Sequence, residues 1–173
     1  AMFSYISASP FLMQEQLGMS PQVYALVFAF NGVGLIGGSM LNARLIGRFP
    51  THRILLAGLG VQVTSAVLLV LTMLLHPTAW LILPLLFVAV AQNGIIMGNS
   101  TALGTGLVRS RAGSASALMG FAQFGIAGLV SPLMGLGGNP GLTMAVGMVA
   151  CSLVATAGAL YAGRATAAPT SAS

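Results

Sequence analysis

Long apolar blocks separated by short polar breaks run the length of this chain. The longest stretch without a formal charge is the 55 residues at 54–108, between Arg53 and Arg109. As a single helix it would be about 80 Å long, against a bilayer hydrocarbon core of about 30 Å, so it must fold back on itself. The break is at His76-Pro77-Thr78, where a proline and two polar residues separate spans at 54–75 and 79–101. The same reasoning divides the 52 charge-free residues at 112–163 at a glycine-rich run, 135–141, into spans at 113–134 and 140–161. Upstream, 22–43 forms a further span, entered through a turn and helix-start signal at Gly18, Ser20 and Pro21. The opening segment 1–13 is apolar but rises only about 20 Å as a helix, too little to cross alone. It has neither a basic start nor a small-residue cleavage site, so a secretory leader is disfavoured. The pattern therefore predicts an all-α integral membrane protein with one partial and five complete crossings. The chain is expected to begin inside a span, with an amino-terminal portion missing. The segment 164–173, small and polar, is expected to be a disordered tail.

Composition agrees with the pattern. The chain is 57% hydrophobic and 4% charged, whereas soluble domains carry roughly 25% charged residues. Glu15 is the only acidic side chain; Arg44, Arg48, Arg53, Arg109, Arg111 and Arg164 are the whole basic set, with no lysine or aspartate. Those absences remove a Schiff-base lysine, the lysine of a phosphate-cradling loop and an aspartyl dyad. Ser114 beside Gly113 has no histidine within a span to act as its base, so an enzyme is not expected. No cofactor and no metal site are expected. A net charge of +5 could suggest nucleic acid, but that needs a clustered, solvated basic patch. Here the arginines punctuate apolar blocks and report topology instead. Each hairpin returns the chain to the side it left, so the clusters at 44–53, 109–111 and 164 share one face. Glu15, His76 and Asn139 share the other. The excess of arginine makes the first face cytoplasmic and puts the C-terminus inside. Cys151 stands alone in an apolar run, which reads as a small core residue.

Within the spans, Gly34 with Gly38, Gly94 with Gly98, and Ser116 with Gly120 have the spacing that lets helix backbones approach closely. Amides are less expected at such depth. Asn31, Gln62, Gln92, Asn93 and Gln123 all fall near the middle of their spans, where an unpartnered amide costs several kcal/mol. Two readings stay open: hydrogen bonds between helices, worth roughly 0.6 kcal/mol each, or a polar cavity at the midplane. On the span 79–101, Gln92, Asn93, Asn99 and Ser100 are expected to form one stripe about 100° wide. Leu83, Val90 and Met97 are expected on the opposite face.

Three stretches carry a family likeness: SYISASPFL at 4–12, NARL at 42–45, and AGSASALMGFAQFG at 112–125. They resemble the carboxy-terminal half of the bicyclomycin and chloramphenicol resistance (Bcr/CflA) efflux proteins of the major facilitator superfamily. The resemblance implies half of a twelve-helix, proton-coupled drug exporter, from the end of its seventh helix through its twelfth, in a bacterial inner (cytoplasmic) membrane. Its partners would be the bilayer, small amphipathic drug-like substrates and a missing amino-terminal half. That half would also hold the protonatable carboxylate, so the chain alone is expected to be inactive. Asn31, Gln92, Asn93, Asn99 and Gln123 are the expected substrate-binding residues. The superfamily's cytoplasmic loop signature would correspond to Gly38, Asn42, Arg44, Gly47 and Arg48, with altered spacing and no acidic residue. Gly98-Asn99 stands where a Pro-Asn pair is expected late in the tenth helix of relatives. The alternative is an accessory or structural membrane protein that packs against a partner and transports nothing.

Overall fold

The computed structural model describes residues 1–106, 111–133 and 138–167. Helix α1 (Met2–Pro10) runs on into a wider π-helical turn, Phe11–Gln16. It is followed by α2 (Pro21–Leu45), α3 (Thr51–Leu75), α4 (Ala79–Gly106), α5 (Ala112–Leu133) and α6 (Pro140–Ala167). Among the described residues five helices, α2 to α6, are long and apolar enough to cross a membrane. The 25 residues of α2 or α3 rise about 37 Å, enough to traverse the hydrocarbon with some tilt.

The helix ends follow local chemistry. Ser20 caps α2, its hydroxyl accepting the Val23 amide at 3.4 Å, and Pro21 fills the first turn, where its missing N–H costs nothing. After α2 the chain reverses through Gly47, at φ 92°, a conformation that side chains rarely adopt. His76, extended, closes α3 immediately before Pro77. Asn139 begins α6, its Oδ1 accepting the Leu142 amide at 3.0 Å. Three boundaries of the complete spans differ by three residues or more from the sequence expectation, the first being the end of α4, at Gly106 where 101 was expected. Helix α3 begins three residues early, which brings His52 and Arg53 out of the expected loop and into its first turn. Helix α6 continues to Ala167, four residues into the expected tail, because alanine-rich sequence stays helical after hydropathy falls. Arg109, 134–137 within the expected glycine break, and 168–173 lie outside the described residues.

Helix α4 is the hub, packing on both α2 and α3, while α3 and α1 also pack on α6. The common core holds Leu12, Leu69, Ile82, Leu86, Met144 and Met148. Where α2 crosses α4 the glycines interlock. A Cβ at Gly38 would strike the Ala91 carbonyl, and one at Gly94 would meet the Leu35 carbonyl and the Ser39 amide. Gly34 lies under the Phe87 ring and Gly98 under the Asn42 amide. The third expected pair behaves differently, since Gly120 faces open space. Helix α5 is the least embedded, with Leu118, Phe121, Phe124 and Leu129 all more than 60% exposed. Such a surface would aggregate in water and is suited to lipid.

The ends of the bundle can be matched. Gln16 donates to Asn139 Oδ1 at 2.7 Å and accepts the Gly141 amide at 3.2 Å, tying the turn beside Glu15 to the start of α6. At the opposite end His52 lies against Gly163. Gln16 thus stands beside Asn139 at one end of the bundle and His52 beside Gly163 at the other, as the hairpins require.

Candidate functional site

The amides singled out in the sequence do not share one environment. Asn31 is 2% exposed and donates to the Tyr5 hydroxyl at 2.9 Å, joining α2 to α1; it also borders an apolar cleft with Phe30, Trp80 and Phe87. Asn99 is fully buried and donates both to Asn42 Oδ1, at 2.6 Å across the α2–α4 crossing, and to the Ile95 carbonyl, at 2.9 Å. Its own Oδ1 has no partner among the described residues. Gln92 faces a groove between α2 and α3. The expected stripe on α4 is thus divided. Asn99 meets α2, while Ser100 lines a space facing α3 and α6. Met97, expected on the opposite face, lines the same cavity as Asn93. The reason is geometric: 93 and 97 are one turn apart and stack on one side, whereas a separation of seven drifts about 20° from two full turns.

Asn93 and Gln123 do converge. They line a cavity of about 290 Å³ between α1, α4, α5 and α6, together with Ser4, Met97, Ala127 and Cys151. The Asn93 amide spends a proton on the Ala89 carbonyl at 2.9 Å, which holds the side chain along its own helix. Phe3, packed edge-to-face on Phe124 with centroids 5.7 Å apart, forms one wall. Ser4 is fully buried and its hydroxyl has no partner among the described residues. That hydroxyl is closed off from the cavity as well, so Ser4 stands in the wall as an unpaired polar group and offers no contact to a ligand. A mostly apolar hollow with a few convergent polar groups is the usual form of a small-molecule site. The sequence reasoning missed Ser4 and misread Cys151. Ser4 carried a signal, as a polar residue in an apolar segment, but Cys151 had none. Gln62, flagged as an amide, is 1% exposed on α3 with both amide atoms unpartnered among the described residues.

The loop-signature positions separate by role. Gly38 and Asn42 belong to the α2–α4 contact, Gly47 makes the reversal, and Arg44 and Arg48 project into the surroundings. Asn42 pairs with a neutral amide, so no ion pair forms at that position.

Five crossing helices, with α4 as their hub, and a half-open cavity with polar groups at membrane depth define a polytopic helical membrane protein built like a piece of a transporter. The comparison with known families makes this specific: the Major Facilitator Superfamily model matches residues 1–132, and the chain belongs to that family. The Bacillus subtilis (strain 168) protein YdgK, described as an uncharacterized MFS-type transporter, is 32% identical over 153 residues, covering 88% of this chain and 38% of the relative. A bicyclomycin resistance protein homolog of Haemophilus influenzae is 25% identical over 133 residues, 77% of this chain and 33% of that protein. The chain thus spans between a third and two-fifths of the length of these relatives. No solved structure matches it significantly.

Proposed function

We propose that this chain supplies one half of the translocation path of a drug exporter, in which small amphipathic compounds occupy the cavity between α1, α4, α5 and α6. The observation that carries the reading is the convergence of the Asn93 and Gln123 amides on one cavity with an otherwise mostly apolar lining. The likeness to a bicyclomycin resistance protein homolog favours a drug as the substrate class. Transport proceeds by alternating access, a second helical half rocking against this one. Asn93 and Gln123 orient the polar end of the substrate, while Phe3, Met97 and Ala127 take its apolar body. Asn31 and Asn99 serve packing rather than recognition.

Proton coupling belongs elsewhere in the complete transporter. It requires a group within the membrane that changes charge, and the one carboxylate side chain, Glu15, is exposed beside the end of α1. This chain by itself is inactive. The protein resides in a bacterial inner membrane with the arginine-bearing end and the C-terminus in the cytoplasm, following the distribution of positive charge. The accessory-protein reading needs small-residue faces free for a partner; the α2–α4 glycines are already consumed within the chain, and Gly120 on α5 remains open to one.

The test is cysteine accessibility in the reassembled transporter, with Cys151 replaced by alanine. Cysteines at 93 and 123 should react with a polar thiol reagent and be protected by transported drug, whereas those at 86 and 90, buried in the core, should not. Failure of drug to protect 93 and 123, with transport intact, would remove the cavity from the path.

A further inference from the structure

We infer that the groove between α2 and α3 is a seat for one anionic phospholipid. The two helices pack on α4 rather than on each other, leaving a cleft of about 450 Å³ floored by Gln92 and Ile95. Its walls are apolar, with Leu41, Leu45 and Phe49 on one side and Ala57 and Val61 on the other. Arg53 lines the end nearest the α2–α3 turn. In a bilayer an apolar cleft open to the side fills with acyl chain, and the residue at its headgroup end decides which lipid.

Charge makes that decision here. The single acidic side chain, Glu15, precedes α2, whereas Arg53 follows it, so the length of α2, about 37 Å, separates the two. Arg53 has no carboxylate side chain within reach to neutralise it, and Arg44 and Arg48 add to the positive potential at the same end. A lipid phosphate is the complementary charge, since basic pockets between helices at the membrane surface hold anionic headgroups.

Depth supplies the second constraint. The Gln92 Oε1 lies 3.6 Å from the position a Cβ on Gly58 would take. Gly58 is five residues beyond Arg53, about 7.5 Å along the helix. Gln92 lies near the middle of α4, below the interfacial zone of about 5–8 Å, so a lipid with its phosphate at Arg53 would bring its acyl chains past the Gln92 floor. The Gln92 side chain makes no hydrogen bond among the described residues. The acyl chains would then run along Ala57 and Val61.

Native mass spectrometry of the purified 173-residue chain, titrated with phosphatidylglycerol and with phosphatidylcholine, tests this. One phosphatidylglycerol should be retained per chain, with a preference over phosphatidylcholine of about fivefold, the factor expected for one arginine near the surface. Arg53→Gln should bring the ratio to about one and Arg53→Lys should keep it, while Arg111→Gln, an equal loss of charge outside the groove, should leave it unchanged. Ala57→Phe, which fills the cleft without altering charge, should reduce retention of both lipids. No preference in the unmodified chain would overturn the proposal, and because it is read first, no variant's folding bears on it. So would equal effects of Arg53→Gln and Arg111→Gln, or Ala57→Phe without effect. A lipid-free dimer that Ala57→Phe dissociates would assign the groove to a second copy instead.

Discussion

Replacing Gly38 by alanine probes the contact on which the bundle depends. The new methyl would collide with the Ala91 backbone carbonyl, which no rotamer change can move, so α2 and α4 would have to separate. Overpacking of this kind costs about 1–3 kcal/mol. The Asn99–Asn42 hydrogen bond, one turn further along the same crossing, would stretch as well, and such bonds in membranes contribute about 0.6 kcal/mol on average. Against this stands the gain of about 0.4–1 kcal/mol from lowering backbone freedom in the unfolded chain. Gly37→Ala isolates that gain, because a Cβ at Gly37 meets nothing within 4 Å. The two neighbouring substitutions should therefore fall on opposite sides of the unmodified chain and differ by roughly 1.6–3.6 kcal/mol, the overpacking and hydrogen-bond terms together, since the backbone gain is common to both and cancels. For a chain of this size that is about 3–14 °C between their unfolding midpoints. Thermal unfolding of the two variants in the same detergent, followed by helical circular dichroism, reads the difference. Equal midpoints would refute the close crossing of α2 and α4, whatever the absolute values.

Other expectations follow from the same structure. An Asn42→Ala, Asn99→Ala double-mutant cycle should give a coupling of about 0.6 kcal/mol, with about 1.7 as the upper bound; zero coupling would remove the hydrogen bond between them. Gln16→Ala, which loses both bonds of the clasp to α6, should lower stability by about 1 kcal/mol in the same unfolding assay. Reporter fusions after Arg48 and Arg164 should behave as cytoplasmic and insertions beside Glu15, His76 and Asn139 as external, and export from either arginine position would invert the orientation. Vesicles holding only this chain should show no drug movement driven by a proton gradient; robust flux would expose a coupling group overlooked in the spans.

The architecture was legible because a bilayer imposes few solutions. A chain of apolar blocks must cross as helices, and the polar breaks must be turns, since the hydrocarbon offers no other partner to the backbone. That is why the spans at 22–43, 54–75 and 79–101 map onto α2, α3 and α4 with shifts of a few residues. The boundaries slipped where hydropathy and helix propensity part company. His52 and Arg53 are polar yet begin α3, and the alanine-rich end of α6 stays helical beyond its apolar limit. The π-helical turn after Pro10 left no trace in the hydrophobic pattern.

The candidate site was less legible, for a reason visible in α4. Spacing along one helix orders its side chains around an axis but says nothing of which neighbour stands at each angle. Gln92, Asn93 and Asn99 fit one polar arc, yet three different helix contacts cut that arc into a lateral groove, a half-open cavity and a buried amide pair. The division depends on where α2 approaches, and the approach depends on Gly38, Gly94 and Gly98, whose spacing predicted a close contact without naming its partner. Because Gly98 brings Asn42 over α4, Asn99 is spent on holding α2 in place. Gln92 and Asn93, less than two turns away on the same helix, are left to face openings. The same interlock that spends one amide on helix packing leaves two others facing openings, and a substitution at Gly38 or Gly94 should disturb both openings without touching either.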